Sequence, residues 1–551
     1  QHIYPIFGCK DGYVRICLLS ARQWRGMRAW LGEPEQFADP RYDTIAARYG
    51  ASRELNAIIA EFFAPQTMAA LVADGQARGV PIAAVLTPAE ALTSEHFHAV
   101  GALTDAEIVN GACVTVPVGP FVVDGHRAGF QRTAQSAGAD EPSWARARSA
   151  PATVEDALAH QRPFEGLRIL DLGVIVAGGE LGRLFADLGA EVIKIESAAY
   201  PDGLRQTPPG QAMSRSWALT HRNSYSLGLD LRQPAGAEIF GRLVAGADAV
   251  FANFKPGTLA SLGFSFERLR EINPRIVLAE SSAFGAAGPW SARMGYGPLV
   301  RATTGVTRLW TSEDAEDGSF YDATTIFPDH VVARITAIAA LAALIGRDGT
   351  GTSAHVHISQ AEAAMNQLAT AYVAEAARAA RLPLADDTAL HAVYPCAGED
   401  EWCVISLRSD DDRANLAAAM GSDELPHDRA DLIAVVSQWT ATQDKSAVTD
   451  ILQRAGVPAA PMNRAVDVLA DPQVRFRKLF TDMTHPLFDA PMPSETGPAP
   501  FTNIPPAEFR PAPMPGQHTR EVCQKVLAMG PEEIDRLIAE GVLFTHDRRP
   551  S

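Results

Sequence analysis

The sequence is short of cysteine, of basic residues and of long uncharged apolar runs. Six cysteines are scattered over 551 residues without a CxxC pair, which fits reduced thiols in a cytoplasmic protein. Lysine and arginine total 48 against 65 aspartates and glutamates, so a formal charge of −17 argues against nucleic acid or an anionic membrane as a partner. Without an apolar run of about 20 residues or a charged-then-apolar leader, neither a membrane span nor a signal peptide is predicted.

The chain is long enough for about three or four domains of ~150 residues, and 47% apolar residues can build several cores. Its first residue is Gln rather than Met, which indicates a processed or truncated chain. Cys396 and Cys403 lie near His391, but their spacing is wider than that of zinc sites, so no metal is predicted.

The middle third alternates short apolar runs with segments of helical periodicity. Strands are predicted over residues 167–172, 191–196, 247–253, 276–280 and 355–358, and helices over 181–188, from about 234, and over 266–272. Short connections between such elements predict a parallel sheet covered by helices on both faces, an α/β fold. The first strand-to-helix turn carries glycines but no GxGxxG pattern, so no nucleotide cofactor is predicted.

Ligands of such sheets bind beyond the carboxyl ends of the strands. The residues predicted at those ends are Ala177, Gly178, Asn253, Phe254 and Gly285.

An internal repeat links the two ends of the chain. Residues 2–8 and 14–16 parallel 391–398 and 404–406, and residues 78–84 parallel 455–460 in the same order. The polar, Ala- and Ser-rich stretch of residues 131–163 between the repeats has the composition of a linker. We interpret the chain as a tandem fusion in which residues 1–130 form the tail of one copy, without its front, and residues 164–551 form a second copy.

Asp329 is the strongest candidate for chemistry. It lies just before a long run rich in Ala and Leu that predicts a buried helix. A carboxylate in this place is either an N-cap, which accepts hydrogen bonds from the first helical turn, or a nucleophile. The residues around it favour the nucleophile.

Several strings resemble one family, the family III CoA-transferases, which are also called CaiB/BaiF proteins and include formyl-CoA transferase. They are residues 164–172, 186–196, 253–257, 262–263, 272–275, 284–285 and 288–289. The resemblance covers residues 164 to about 520, and residues 1–130 resemble the second half of another copy.

The resemblance implies an α/β fold with a large Rossmann-like domain, a smaller α/β domain and two units interlocked like rings, the partner ring being the fused first copy or another molecule. It places the large domain at residues 164–385, the small domain at 386–490 and a returning segment at 491–551. Acyl-CoA and a small carboxylic acid would be the substrates, without a metal.

The resemblance also implies that Asp329 attacks the thioester of a donor acyl-CoA, giving a mixed anhydride and then an aspartyl-CoA thioester. The family's CoA contacts carry over to Val176, Ala177, His221, Arg222, Asn223, Asn253, Phe254 and Lys255.

The sequence departs from the family pattern at three positions, where Ser197, Ser261 and Gly297 replace residues that relatives use for charge. Arg205 or Arg293 are candidates to replace the missing cations.

Three alternatives remain open. An α-methylacyl-CoA racemase would need a histidine where this chain has Tyr296, although His330 could be offered instead. A CoA-transferase coupled to lyase activity, like the dimethylsulfoniopropionate enzyme, would use the same aspartate. A non-catalytic scaffold would bind CoA without chemistry.

Overall fold

The computed structural model describes residues 4–109, 111–130, 132, 135–143, 162–207, 210–311, 315–322, 326–384 and 389–547. The chain divides into two compact units. One comprises Gln1–Leu382 with Asp482–Ser551, and the other is Pro383–Thr481. Most of the predicted linker, residues 131–163, lies outside the described residues.

The N-terminal segment begins with a small sheet and helices packed on it. Its elements are β1 (Ile6–Cys9), β2 (Gly12–Ile16), α1 (Ala21–Trp30), 3-10 helices at Glu35–Phe37 and Pro40–Asp43, α2 (Ile45–Gly50), α3 (Ser52–Phe63), α4 (Met68–Ala77), β3 (Ile82–Ala84), α5 (Pro88–Leu92), α6 (Glu95–Ala99), β4 (Leu103–Val109), β5 (Ala112–Pro117), β6 (Phe121–Val123) and β7 (His126–Ala128). Helix α1 shows why these residues fold locally, since Ser20 and Gln23 form a capping box and Trp24, Met27 and Trp30 bury one face.

The central segment alternates strands and helices. Its elements are β8 (Arg168–Asp171), α7 (Ile175–Asp187), β9 (Glu191–Glu196), a 3-10 helix at Gly203–Arg205, α8 (Arg215–Thr220), β10 (Tyr225–Leu229), α9 (Pro234–Ala245), β11 (Ala249–Ala252), α10 (Thr258–Ser261), α11 (Phe266–Ile272), β12 (Val277–Ser282), α12 (Gly297–Thr304), α13 (Val306–Leu309), α14 (Phe327–Thr350), β13 (Ala354–Ser359), α15 (Gln360–Gln367) and α16 (Ala369–Ala379).

The last segment contains a second small sheet with its helices, followed by elements that return to the first unit. They are β14 (Leu390–Pro395), β15 (Trp402–Leu407), α17 (Asp410–Met420), α18 (Arg429–Thr440), α19 (Lys445–Arg454), β16 (Ala459–Pro461), α20 (Ala465–Ala470), α21 (Pro472–Phe476), β17 (Phe480–Met483), β18 (Met492–Glu495), α22 (Thr519–Lys525), α23 (Pro531–Ala539) and β19 (Leu543–Phe544).

A nine-stranded sheet forms the centre of the first unit, in the order β19-β10-β9-β8-β11-β12-β13-β6-β7. The six strands from β10 to β13 pair in parallel. Antiparallel pairing adds β19 beside β10 at one end of the sheet and the hairpin β6-β7 beside β13 at the other. One face packs on α7 and α14, and the other packs on α9, α11, α22 and α23. The predicted α/β fold with a parallel sheet is confirmed.

Two local predictions differ from the structure. The helix predicted over residues 181–188 already begins at Ile175. Its glycines are not turn residues but allow close approach, since a Cβ on Gly178 would lie 2.4 Å from the carbonyl carbon of Gly173. The strand Tyr225–Leu229 was missed because its apolar run is short and contains Gly228.

The repeated sequences fold into two small sheets with the same topology. The first has the order β1-β2-β3 and the second β14-β15-β16, and both are antiparallel. Each third strand follows a helix, α4 in one case and α19 in the other.

Among the helices that the structure describes, Phe327–Thr350 is long and apolar enough to cross a membrane by length and composition. Its buried residues, including Val332, Ala339 and Ala340, pack in the core beneath the parallel strands.

Candidate active site

Asp329 is the third residue of α14, with Phe327 and Pro328 before it. The N-cap position is Ile326, and no side chain among the described residues caps this end of the helix. Asp329 therefore does not serve as the N-cap. Its carboxylate lies in the first helical turn, where the partial positive charge of the helix favours an anion.

The Asp329 carboxylate lies between the backbone of Gly297 and the side chain of Gln360. A Cβ added to Gly297, the first residue of α12, would sit 2.1 Å from Asp329 Oδ2. Gln360, the first residue of α15, hydrogen-bonds to the carboxylate. Asp329 keeps partial solvent exposure, yet the surrounding protein desolvates it and raises its pKa to about 6. The residue is thus partly exposed, while its carboxylate is closely surrounded by protein.

Residues of the N-terminal segment form part of this environment. Tyr4 and Cys17 are close enough to Asp329 for its charge to raise their pKa values, although desolvation is the larger cause for both. The pKa of the buried Cys17 thiol reaches about 12, so this cysteine is protonated near neutral pH. Arg301 on α12 interacts with the same carboxylate and lowers its pKa.

A buried ionic cluster joins the N-terminal segment to the large sheet domain. Arg15 on β2 donates two hydrogen bonds to Asp322, at 2.9 and 2.8 Å, and Arg301 lies 3.3 Å from the same carboxylate. Thr307 donates a further bond of 2.8 Å. Burial alone would raise the pKa of Asp322, but the two arginines hold it below its ordinary value. Sequence reasoning missed this cluster, although an arginine within the apolar strand β2 was a signal that a buried acid must lie opposite it.

The histidine beside Asp329 is directed to a different partner. His330 Nδ1 lies 2.7 Å from Glu180 on α7, and this hydrogen bond raises the pKa of His330. The Tyr296 hydroxyl accepts a hydrogen bond of 2.8 Å from Gln23. The His330 and Tyr296 contacts therefore give no support to an acid–base pair of the racemase kind.

The turn between β8 and α7 is held in an unusual backbone conformation. Ile175 has φ of 57°, which is rare for a β-branched residue, and its amide donates to both carboxylate oxygens of Asp202 at 3.1 and 3.0 Å. Asn253 clamps Val174 by accepting from its amide at 2.7 Å and donating to its carbonyl at 2.8 Å. Val176 and Ala177, two of the CoA contacts that the resemblance implies, follow in the first turn of α7, where backbone amides lack intrahelical partners.

A cavity of about 370 Å³ opens at the same turn. It lies beyond the carboxyl ends of β8, β9, β10 and β11, where the strand order reverses. Its lining is Leu172, Val174, Lys194, Ile195, Glu196, Ser197, Tyr200, Asp202, Leu229, Asp230, Leu231, Arg232, Phe254, Thr258 and Leu262. The predicted Phe254 is thus in the wall, whereas the exposed ring of Tyr200, with Arg232 stacked 4.9 Å from its centroid, was missed.

Two predicted contact residues have their polar groups bonded within the fold. The buried Arg222 donates hydrogen bonds of 3.1 and 2.7 Å to Asp187, and its guanidinium lies over the ring of Phe509. Asn223 also bonds to Asp187, at 2.7 Å, and accepts from the backbone amide of Arg510. These bonds give Arg222 and Asn223 a structural role, and the geometry does not support Arg222 as the CoA contact that the resemblance implies.

His221 is buried and stacks on Trp217 with ring centroids 3.5 Å apart. Its Nδ1 lies 2.8 Å from the Thr220 hydroxyl, while Nε2 is buried and has no hydrogen-bond partner in the part of the chain that the structure describes. Desolvation lowers the pKa of this imidazole well below its ordinary value, so it is neutral near pH 7.

The predicted Lys255 belongs to a small group of cations. Desolvation and the nearby charge of Arg22 lower its pKa, and its amine donates to the carbonyl of Ala292 at 3.4 Å. Arg293 follows in sequence and stacks on Trp290. Within the ranges that the structure describes, neither Lys255, Arg22 nor Arg293 has a carboxylate at ion-pair distance.

The other cation suggested as a replacement, Arg205, is committed to Glu196 through bonds of 2.8 and 2.6 Å. Of the serines that depart from the family pattern, Ser197 lines the cavity and the exposed Ser261 bonds to the carbonyl of Thr258. Of the two candidates to replace the missing cations, Arg293 therefore remains and Arg205 does not.

Comparison with known proteins places these observations in one family. The family model described as CoA-transferase family III matches residues 1–141 and 164–519. A protein named Probable CoA-transferase Rv1866, from Mycobacterium tuberculosis, is 60% identical over 99% of this chain and 71% of its own length.

Two further matches cover shorter proteins over nearly their whole length. A succinyl-CoA–D-citramalate CoA-transferase of Chloroflexus aurantiacus is 29% identical over 69% of this chain and 98% of its own. A solved CAIB/BAIF family protein from Brucella suis has a TM-score of 0.59 and 27% identity, and the match covers 67% of this chain and 100% of that one. The chain is therefore a CoA-transferase and belongs to CoA-transferase family III.

Proposed function

We propose that the protein transfers coenzyme A from an acyl-CoA to a carboxylic acid, with Asp329 carrying first the acyl group and then CoA. The observation that carries this proposal is the position of the desolvated carboxylate against the bare backbone of Gly297, on a residue that keeps partial solvent exposure. A desolvated carboxylate is a stronger nucleophile than a hydrated one. With a pKa of about 6 it remains mostly ionised at neutral pH.

Each step exchanges one activated acyl carbon for another. A carboxylate oxygen of Asp329 attacks the thioester carbonyl, which forms a mixed anhydride and releases CoA thiolate. The thiolate then attacks the Asp329 carbonyl carbon, so the donor acid leaves with one oxygen of the aspartate. The acceptor acid repeats both steps in reverse, returns an oxygen to the aspartate and leaves as its CoA thioester. The activation energy of the thioester is conserved, so ATP is not needed.

The cavity beyond β8–β11 is the site we propose for the nucleotide end of CoA. Its apolar lining and the exposed Tyr200 ring suit an adenine base. The cations Arg22, Lys255 and Arg293, which lack carboxylate partners among the described residues, suit its phosphates. Because α7 starts at this cavity and Glu180 lies six residues beyond Val174, about 9 Å of helix separates the turn from the neighbourhood of Asp329.

For the donor we propose succinyl-CoA, and for the acceptor a small dicarboxylic acid. Support comes from relatives whose names describe succinyl-CoA transfer to D-citramalate, to glutarate and to L-malate. At 27–29% identity these names suggest the substrate class rather than one acid.

We also propose that residues 1–130 are the second half of a first copy, which completes the active site of the second copy. Tyr4 and Cys17 contribute to the surroundings of Asp329, and Arg15 fastens their strand to Asp322. The matched topologies of the two small sheets support the same interpretation.

The proposal is tested by isotope transfer. Over many turnovers, incubation with succinyl-CoA and a dicarboxylate labelled with ¹⁸O in its carboxylates should place one labelled oxygen in the succinate released, because each acceptor leaves an oxygen on Asp329 that a later donor acid takes away. After incubation with succinyl-CoA alone, without an acceptor acid, hydroxylamine should convert the aspartyl-CoA thioester into a hydroxamate on the peptide that contains Asp329, as detected by mass spectrometry.

Asp329→Asn should abolish both signals while the protein stays folded. Asp348→Asn is the matched control, since Asp348 lies on the same helix with an exposed carboxylate. Succinate that contains only solvent oxygen would show simple hydrolysis and disprove the double exchange. Full activity of Asp329→Asn would disprove the nucleophile.

A further inference from the structure

A group of two histidines and one glutamate lies on the sheet face opposite α14, away from the elements that hold Asp329. Glu280 is on β12, and His355 and His357 are on the adjacent strand β13. Their potential ligand atoms all lie within 4.8 Å of one another. We propose that these three side chains bind a divalent transition-metal ion of the Zn²⁺ type.

Strand geometry brings the three side chains to one face. His355 and His357 are two residues apart on β13, so both point to the same side of the sheet. Glu280 is the direct parallel partner of His357. The group is therefore held by backbone hydrogen bonds of the central sheet rather than by a mobile loop.

The distances suit a metal in the middle of the group. His355 Nε2 lies 2.8 Å and His357 Nδ1 lies 3.8 Å from Glu280 Oε2. Tetrahedral zinc with bonds of about 2.0–2.1 Å sets its ligand atoms roughly 3.3 Å apart. The two observed separations fall on either side of that value, so small side-chain rotations would suffice. Metal would replace the proton that the hydrogen bond between His355 and Glu280 requires.

The surroundings orient these ligands. The Ser282 hydroxyl lies 2.9 Å from His357 Nε2, which leaves Nδ1 directed to the glutamate. Phe266 on α11 stacks on the His355 ring at 5.0 Å, and the nearby Glu267 carboxylate interacts with that histidine. Glu280 and His355 are partly exposed, so the ion can be reached from solvent.

Two neutral imidazoles and one carboxylate form a donor set typical of Zn²⁺ and of neighbouring divalent ions, with positions left for water or Glu267. No metal was predicted from the sequence, because that prediction rested on the spacing of Cys396 and Cys403 near His391. The pair His355 and His357 lies in a strand, and its glutamate partner is 75 residues away along the chain. Such an ion would join β12 to β13, the strand that leads to Gln360.

The experiment uses the full chain, freed of metal with a chelator and titrated with Zn²⁺ by calorimetry. We expect one ion per chain and an increase in Tm with Zn²⁺. Substitution by Co²⁺ should give the visible absorption of a site with nitrogen and oxygen ligands.

His355→Ala and Glu280→Gln should weaken Zn²⁺ binding by about 100-fold or more, and Ser282→Ala by about 10-fold, since it only orients a ligand. Glu280→Gln keeps a group of the same shape, so it guards against a folding defect in the histidine variant. His427→Ala, at an exposed histidine of the other unit, should leave binding unchanged. Absence of stoichiometric binding, or equal binding by the wild type and both ligand variants, would overturn the proposal.

Discussion

Replacement of Gly297 by alanine tests the contact on which the proposed chemistry depends. The added methyl carbon would lie 2.1 Å from Asp329 Oδ2, far inside a normal contact distance. The φ of Gly297 is not in the left-handed region, so alanine fits the backbone. The carboxylate, as the flexible end of a side chain, must therefore move away by about 1 Å or more.

The expected effects on activity and stability differ in size. A displacement of about 1 Å of a reacting group can cost about 100-fold in rate, which corresponds to about 2.7 kcal/mol of activation free energy. Stability should change by less than about 1 kcal/mol, because the helical preference of alanine over glycine opposes a weakened hydrogen bond from Gln360.

Gly346→Ala provides the matched control. Gly346 lies on α14, the helix that also carries Asp329, and a Cβ there would meet nothing within 4 Å. This variant should gain up to about 1 kcal/mol of stability and keep its activity.

Steady-state kinetics of CoA transfer and thermal unfolding should be measured for both variants and the wild type. The reasoning predicts that Gly297→Ala lowers kcat about 100-fold with an almost unchanged Tm. A kcat within about threefold of the wild type would refute the view that the carboxylate acts from this position. An equal loss in Gly346→Ala would point to helix α14 as a whole rather than to the contact.

Three further predictions concern the ionisation of Asp329, the ionic cluster around Asp322 and the turn between β8 and α7. The acid limb of the pH profile of kcat/KM should lie near pH 6, the pKa of Asp329. Asp329→Asn should raise the free energy of unfolding above pH 6 but not below pH 3.8, the ordinary pKa of an aspartate. Arg15→Ala should cost about 3 kcal/mol, since it leaves a buried acid poorly compensated, whereas Arg25→Ala removes an exposed pair and should change Tm little. Asn253→Ala should raise the KM for acyl-CoA about tenfold by losing two backbone bonds, unlike Asn273→Ala.

The signs and controls of these predictions are set by the structure. The folded pKa of Asp329 lies above its ordinary value, so the folded state binds the proton more tightly and loses stability as the pH rises from 3.8 to about 6. Asn273 also bridges two backbone carbonyls, at 3.0 and 2.8 Å, but they belong to Val244 and Ala247 and not to the turn between β8 and α7. A stability gain from Asp329→Asn confined to acid pH, or equal KM values for both asparagine variants, would contradict these assignments.

Local sequence predicted the parallel sheet well because its strands and helices carry their own periodicity. The strand Glu191–Glu196 and the helix Phe266–Ile272 have the bounds predicted for them. Strand β10 was missed because it contains Gly228, which is unusual in a strand. The reason for this glycine is the distant Phe544, whose carbonyl oxygen would lie 2.5 Å from a Cβ at residue 228. Such a contact between distant residues leaves no local pattern.

The site was predictable to a similar degree. The sequence placed Asp329 at the start of a buried helix, and the structure has it in the first turn of α14. Arg222 looked like a ligand-binding cation because sequence alone cannot show that its partner is Asp187. Arg15 and Asp322 were overlooked for the same reason, since their partnership spans 307 residues.

The antiparallel strands at the two ends of the large sheet also constrain the order in which the chain can fold during synthesis. Strand β6 emerges from the ribosome before any of the parallel strands exists, and β19 emerges after all of them. Until then, Gly228 and Leu229 on the outer side of β10 lack their β19 partners, and this side of the strand is open to pairing with other chains. Nascent chains that stall before residue 543 should therefore be more prone to aggregation than finished ones, even with every residue of the proposed active site already made.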